Sequence, residues 1–189
     1  MSDIIEQSFE CVKAQATDMQ GHMDVLKSYA GRSKKIAEFG VYDCTSTWAL
    51  LAGRPTKLTS YDVARRMEVS DVEKAATQCG VAFEFILADS VSVDIGLVDL
   101  LLIDSLHTYE HLSNELRIHA KNVSQFIILH DTETFGHTDE TYSGLGLWPA
   151  VEEFLQTNPE WKILQRFTHC HGLTVLVRVS LPGTQLLGE

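Results

Sequence analysis

Between Ser2 and Ala30, apolar residues recur at helical spacing (Ile5, Phe9, Val12, Met19, Met23, Val25, Leu26), which predicts a helical segment that Gly21 divides. Gly31-Arg32-Ser33 ends it. Beyond that point short apolar runs alternate with amphipathic stretches. Strands are predicted over Lys35 to Val41, Lys57 to Val63, Val81 to Ala88, Val98 to Asp104 and Gln125 to His130. Helices are predicted over Thr45 to Ala52, Val69 to Gln78 (closed by Gly80), Thr108 to Asn122 and Trp148 to Gln156. The run Val98-Asp99-Leu100-Leu101-Leu102-Ile103-Asp104 is almost continuously apolar, as befits a central strand buried on both faces. Trp161 to Phe167 and Leu173 to Val179 read as a hairpin around Cys170-His171-Gly172, and Leu181 to Glu189 as a frayed tail.

Alternating strands and helices closed by a hairpin describe an α/β domain with a mostly parallel, doubly wound sheet and helices on both faces. The chain therefore divides into an N-terminal helical segment (1–30), a Rossmann-like domain (31–180) and a tail (181–189). In such a sheet ligands bind beyond the C-terminal ends of the strands, where strand order reverses. Nearly every predicted strand delivers an acid there: Glu38 before Gly40, then Asp62, Asp89, Asp104 and the pair His130-Asp131. Helix capping accounts for Asp43 before Thr45 and Asp89 before Ser90. It does not account for Asp62, placed where an acid grips the two hydroxyls of a nucleoside ribose.

Charge narrows the partners. With 15 Lys and Arg against 26 Asp and Glu, the net charge of -11 disfavours nucleic acid and anionic membrane as partners. The small basic clusters Arg32-Ser33-Lys34-Lys35 and Arg65-Arg66 do not make a stripe. No apolar run reaches the ~20 residues of a bilayer span, and the acidic start does not resemble a secretory leader; a cytoplasmic location is expected. The cysteines Cys11, Cys44, Cys79 and Cys170 are scattered, so reduced thiols are expected. His169-Cys170-His171 suggests a metal ligand set, but the preferred reading is a polar strand end.

The first strand-to-helix turn selects the nucleoside. Glu38-Phe39-Gly40-Val41-Tyr42-Asp43-Cys44-Thr45-Ser46-Thr47 has one glycine and two acids. It is poorly built for a pyrophosphate, which wants G-x-G-x-x-G, and better built for a cationic ligand without phosphates. S-adenosylmethionine, with its sulfonium, ammonium and ribose, meets that description.

These residues resemble the first motif of class I S-adenosylmethionine-dependent methyltransferases. More narrowly, the chain resembles the small-molecule group of macrocin O-methyltransferase and the cephalosporin hydroxylase-like proteins. Leu102-Ile103-Asp104-Ser105-Leu106-His107-Thr108-Tyr109-Glu110 is similar to that group's I-D-G-D-H-S-Y-E segment, Phe126 to Thr132 to its next strand ending in H-D, and Gly146 to Leu155 to the helix that follows. The resemblance covers Lys35 to Val179 and implies a Rossmann-like class I fold, a seven-stranded mostly parallel sheet with a C-terminal antiparallel hairpin.

Carried onto this chain, the resemblance implies that Glu38, Gly40, Val41, Tyr42, Thr45 and Ser46 cradle the methionine part of the cofactor. It implies that Asp62 holds the ribose, that Asp89 and Ser90 lie near the adenine, and that Asp104 faces the transferring methyl. In some relatives a divalent cation sits on acids matching Asp104 and positions 130 and 131, which makes Asp104, His130 and Asp131 candidate ligands for Mg²⁺, Mn²⁺ or a similar ion. Two departures stand out: Ser105 replaces a glycine, and Leu106 stands where an acid that acts as base is common. His107 is the natural substitute base, with His130 as the alternative; a structural hydrogen bond at a helix start is the other reading of His107. The polar loop from Thr132 to Gly146 reads as a substrate lid with His137 and Tyr142 as contacts, or as a surface loop. The expected activity is O-methylation of a small hydroxylated acceptor. The rival reading is a degenerate fold that binds nucleoside or partner without turnover. A homodimer is possible through the N-terminal helix.

Overall fold

The structure is a computed structural model that describes residues 3–15 and 18–179. The expected tail, Leu181 to Glu189, lies outside the described residues. Elements follow in the order α1 (Ile4–Lys13), α2 (Met23–Ala30), β1 (Lys35–Phe39), α3 (Thr45–Ala52), β2 (Lys57–Asp62), α4 (Val69–Gln78), β3 (Ala82–Leu87), β4 (Val98–Ile103), α5 (Tyr109–His119), β5 (Val123–His130), α6 (Leu147–Thr157), β6 (Trp161–Phe167) and β7 (Leu173–Arg178), with short 3-10 turns at Gln20–His22, Ser90–Ser92 and Ala120–Asn122.

The strands form one sheet in the order β3-β2-β1-β4-β5-β7-β6. The first five are parallel, and β7 inserts antiparallel between β5 and the edge strand β6. This is the expected Rossmann-like arrangement. Strand order reverses between β1 and β4, so the crevice for a ligand opens above their C-terminal ends.

The period-2 alternation of strands places successive residues on opposite faces. Leu100 and Leu102 of β4 join one core with α1 to α4, while Leu101 and Ile103 join the other with α5 and α6. All four are buried, so the continuous apolar run is a strand covered twice. Helix α3 is buried all round because α1 and α2 cover its outer side. Burying a leucine such as Leu50 or Leu51 contributes about 1.5–3 kcal/mol, which docks the N-terminal helices onto the domain.

The N-terminal segment divides earlier than the pattern indicates: α1 ends at Lys13, and Gly21 sits in the 3-10 turn that leads directly into α2. A β carbon at Gly21 would lie 2.6 Å from Cys170 Sγ and 2.9 Å from the His169 ring. The absence of a side chain lets the chain turn against the β6–β7 hairpin. Strand β1 stops at Phe39, two residues earlier than expected, because Gly40 takes a φ of +80° that no strand continues. The N-cap of α1 is Asp3, whose carboxylate accepts from the Ile5 and Glu6 amides.

Candidate functional site

A cleft of about 630 Å³ opens over the C-terminal ends of β1 to β4, at the reversal of strand order. Its wall includes Gly40, Val41, Tyr42, Thr45 and Ser46 from the first loop, Asp62 after β2, Asp89 and Ser90 after β3, and Asp104 and His107 after β4. The loop departs from β1 through left-handed backbone at Gly40, Tyr42 and Cys44. Gly40 is required on two counts, since a β carbon there would also overlap the Asp104 carbonyl. Asp62 fixes the loop: its Oδ2 accepts from the amides of Val41 (2.7 Å) and Tyr42 (3.1 Å), and Oδ1 from Ala64 (2.9 Å). Asp43 Oδ1 accepts from the amide and hydroxyl of Thr45 at the start of α3, whose N-cap position is Cys44.

Glu38 is not on the cleft wall. It is fully buried beneath the loop and accepts hydrogen bonds from Ser46 (2.6 Å), Thr47 (2.9 Å) and Ser60 (2.5 Å). Burial pushes its carboxyl up to about 7, against the hydroxyl donors that favour the ionised form. The expectation that Glu38 cradles a ligand directly is corrected: β1 points it into the protein, where it ties the loop to β2.

On the far wall, Asp89 accepts from the Val91 amide. Ser90 and Ser105 both donate to Oε1 of Glu115 at 2.6 Å. Glu115 is fully buried, and His119 on the same helix reaches the Ser90 carbonyl at 2.8 Å. Sequence reasoning passed over Glu115 and the cleft-lining His111. Their signal is the i, i+4, i+8 spacing of His111, Glu115 and His119, a polar stripe beside Leu112 and Leu116 on α5.

Below this lies a cluster of histidines and carboxylates. His107 Nε2 is 2.9 Å from Asp131 Oδ2 and 3.5 Å from Asp104 Oδ1. His130 Nδ1 is 3.3 Å and 3.4 Å from the same two oxygens. Each ring has its other nitrogen engaged: His107 Nδ1 lies 2.7 Å from Glu140 Oε2, and His130 Nε2 3.2 Å from the Cys170 carbonyl. The inward nitrogens are buried, and despite the short distances neither makes a directed hydrogen bond among the described residues. Burial opposes the charged form of both imidazoles, but the two aspartates outweigh it and raise each to about 10. Burial likewise opposes charge on Asp104 and Asp131, and the histidines hold both below the usual carboxylate range.

Two expectations change here. His130 is 2% exposed and lies behind the acid pair rather than on the cleft wall, where it is placed to orient the cluster. His107 is set among Asp104, Asp131 and Glu140, which favour the imidazolium, a donor and not a base.

The cluster also fits a divalent cation, in the form the buried, undirected nitrogens indicate. Asp104, His107 and Asp131 bring one ligand atom each within 4.8 Å of one another, so His107 joins the expected set of Asp104, His130 and Asp131, in which His130 Nδ1 stands 3.3–3.4 Å from the same two carboxylates. A histidine ligand whose second nitrogen donates to a carboxylate or carbonyl is a usual supporting arrangement, here supplied by Glu140 and Cys170. The mixed nitrogen and oxygen donors suit Mn²⁺, Fe²⁺ or Zn²⁺ better than Mg²⁺.

The loop after β5 contributes differently from expectation. His137 and Tyr142 are exposed and do not line the cleft. Phe135 stacks on His107 with ring centroids 4.8 Å apart, and Glu140 closes the wall.

No family model matches the chain, and no curated protein matches it. Solved structures do. A methyltransferase from Podospora anserina, determined with S-adenosylhomocysteine bound, is 15% identical; the alignment covers 95% of this chain and 89% of that one, with a TM-score of 0.63. An O-methyltransferase from Bacillus cereus in complex with S-adenosylhomocysteine is 14% identical over 94% and 92% of the two chains, TM-score 0.61. The 1,6-didemethyltoxoflavin-N1-methyltransferase of Burkholderia thailandensis, holding its substrate and S-adenosylhomocysteine, is 16% identical over 87% and 79%, TM-score 0.64. Identities this low establish a shared fold, and the fold alone does not carry a reaction.

Proposed function

We propose that the chain binds S-adenosylmethionine in this cleft and transfers its methyl group to a hydroxyl of a small acceptor. The observation that carries the reading is the charge of the wall. Asp18, Asp43, Asp62, Asp89, Asp104, Asp131 and Glu140 line it, and the described lining contains neither lysine nor arginine. A phosphate-bearing nucleotide would be repelled, whereas a ligand carrying ammonium and sulfonium groups is attracted. The neighbours of the same fold that hold S-adenosylhomocysteine support the choice.

When bound, the cofactor supplies an electrophilic methyl with a neutral thioether as leaving group. The chain's residues supply the placement. Gly40 to Ser46 form the wall for the methionine part, held in shape from beneath by Glu38 and from the side by Asp62. Asp89 and Ser90 flank the purine side. Asp104 and Asp131 sit on the acceptor side with His107, where alignment of the acceptor oxygen and the methyl would provide much of the acceleration.

Asp104, His107, Asp131 and His130 would hold a divalent cation, whose chemistry there is to lower the pKa of an acceptor hydroxyl. That role removes the need for the acid that Leu106 replaces, and it agrees with His107 being unsuited to act as a free base. The acidic wall points to neutral or cationic acceptors rather than carboxylates or phosphates. Calorimetric titration with S-adenosylmethionine and S-adenosylhomocysteine tests the reading; binding without turnover on any hydroxylated acceptor would favour the non-catalytic alternative.

A further inference from the structure

Behind the cleft, the turn between β6 and β7 meets the broken N-terminal segment. A ring nitrogen of His22, a ring nitrogen of His169 and Cys170 Sγ all lie within 4.8 Å of one another. His22 is completely buried, while Cys170 is half-buried and His169 is exposed. We propose that His22, His169 and Cys170 form a second metal site, one that takes a thiophilic divalent ion such as Zn²⁺.

Buried histidines satisfy both nitrogens or leave a reason for the lapse. His22 Nε2 lies 3.0 Å from the His169 carbonyl and 3.2 Å from the Cys170 carbonyl, so the proton belongs on Nε2, where it donates to both. Nδ1 then keeps its lone pair, and that buried atom has no hydrogen-bond partner among the described residues. One nitrogen bonded to backbone carbonyl and the other left as a bare acceptor is the state in which histidine ligates metal. Sulfur and nitrogen around one tetrahedral zinc stand roughly 3.5 Å apart, given bonds of about 2.0–2.3 Å. The exposed His169 ring can close that gap by rotating. Solvent can supply the remaining ligand.

The surroundings hold the three groups together. Gly21 allows the chain before His22 to press against Cys170 and His169, which a β carbon would push away. The rings of His22 and His169 stand 4.7 Å apart between centroids. Cys170 and His171 both adopt left-handed backbone, at φ +46° and +64°, a conformation that non-glycine side chains resist. Metal bonding at Cys170 would stabilise this turn. The Cys170 carbonyl also accepts from His130, so the second ion would steady the residue behind the acid pair. On binding, the Cys170 thiol releases its proton to solvent as the metal–sulfur bond forms.

Co²⁺ added to the reduced full chain without air separates this site from the acid cluster, because only a cysteine ligand gives a thiolate-to-cobalt charge-transfer band in the near ultraviolet. Co²⁺ added to saturation is expected to produce the band and Zn²⁺ to displace it. Cys170→Ser is expected to abolish it, His169→Ala to weaken Co²⁺ binding by more than about tenfold, and Asp131→Asn to leave it unchanged. Both side chains changed in the first two variants reach solvent, so either variant serves if the other fails to fold. The proposal is overturned if folded protein in excess Co²⁺ shows no such band, or if the band persists in Cys170→Ser.

Discussion

Gly40 packs its α carbon against the backbone of Asp104 so closely that a β carbon would overlap the Asp104 carbonyl. This contact joins the loop after β1 to the end of β4, the two strands between which the sheet reverses. It sets the width of the cleft floor. Gly40→Ala is expected to destabilise the protein by about 2–4 kcal/mol, combining left-handed strain with overpacking, and to abolish cofactor binding in whatever fraction remains folded. Urea denaturation checks the first part; an unchanged midpoint would show that the loop and strand can part without loss.

Glu38 makes stability depend on pH. Its folded value of about 7 lies above the ordinary 4.5, with burial the cause. The preference for the neutral form adds stability that is fully present below the ordinary value and is lost as pH rises through about 7. The gap between those two values corresponds to about 3 kcal/mol as an upper figure. Glu38→Gln lacks this titration, so native protein should lose about that much relative to the variant between acid and mildly alkaline pH. Urea midpoints for both proteins at about pH 4 and pH 8 measure it; parallel curves would mean that the three hydroxyls keep Glu38 ionised throughout.

Metal binding at the acid cluster is expected to follow its geometry. Titration of the native protein with Mn²⁺ should reveal binding that Asp131→Asn and His107→Gln remove. Glu140→Gln should weaken it about 10–100-fold, since Glu140 acts on His107 Nδ1 and not on the ion. Equal affinity in native protein and Asp131→Asn would place the ion elsewhere.

Much of this was legible in the sequence because burial on both faces writes itself as unbroken apolar runs, as in Leu100 to Ile103 and Phe126 to Leu129. The acids at strand ends followed from those runs, and Asp62, Asp89, Asp104 and Asp131 do line one cleft. Glu38 misled because an acid one residue from a glycine loop looks the same whether it faces ligand or core; three hydroxyls from α3 and β2 decide that, and only the fold assembles them. Glu140 lies 33 residues from His107, in a loop whose polar composition marks no single residue. The joining of His22 to Cys170 spans 148 residues and was equally out of reach of local pattern.

The acidic cleft is expected to accept a cationic nucleoside. Calorimetric titration of the purified chain with S-adenosylmethionine and S-adenosylhomocysteine tests it most directly, with Asp62→Ala and Asp89→Ala as controls. Saturable binding of both compounds to native protein is expected, lost in Asp62→Ala and weakened in Asp89→Ala, whose side chain accepts from the Val91 amide. Absence of heat with either compound from a protein shown to be folded would contradict the account and leave the Rossmann-like fold without this cofactor.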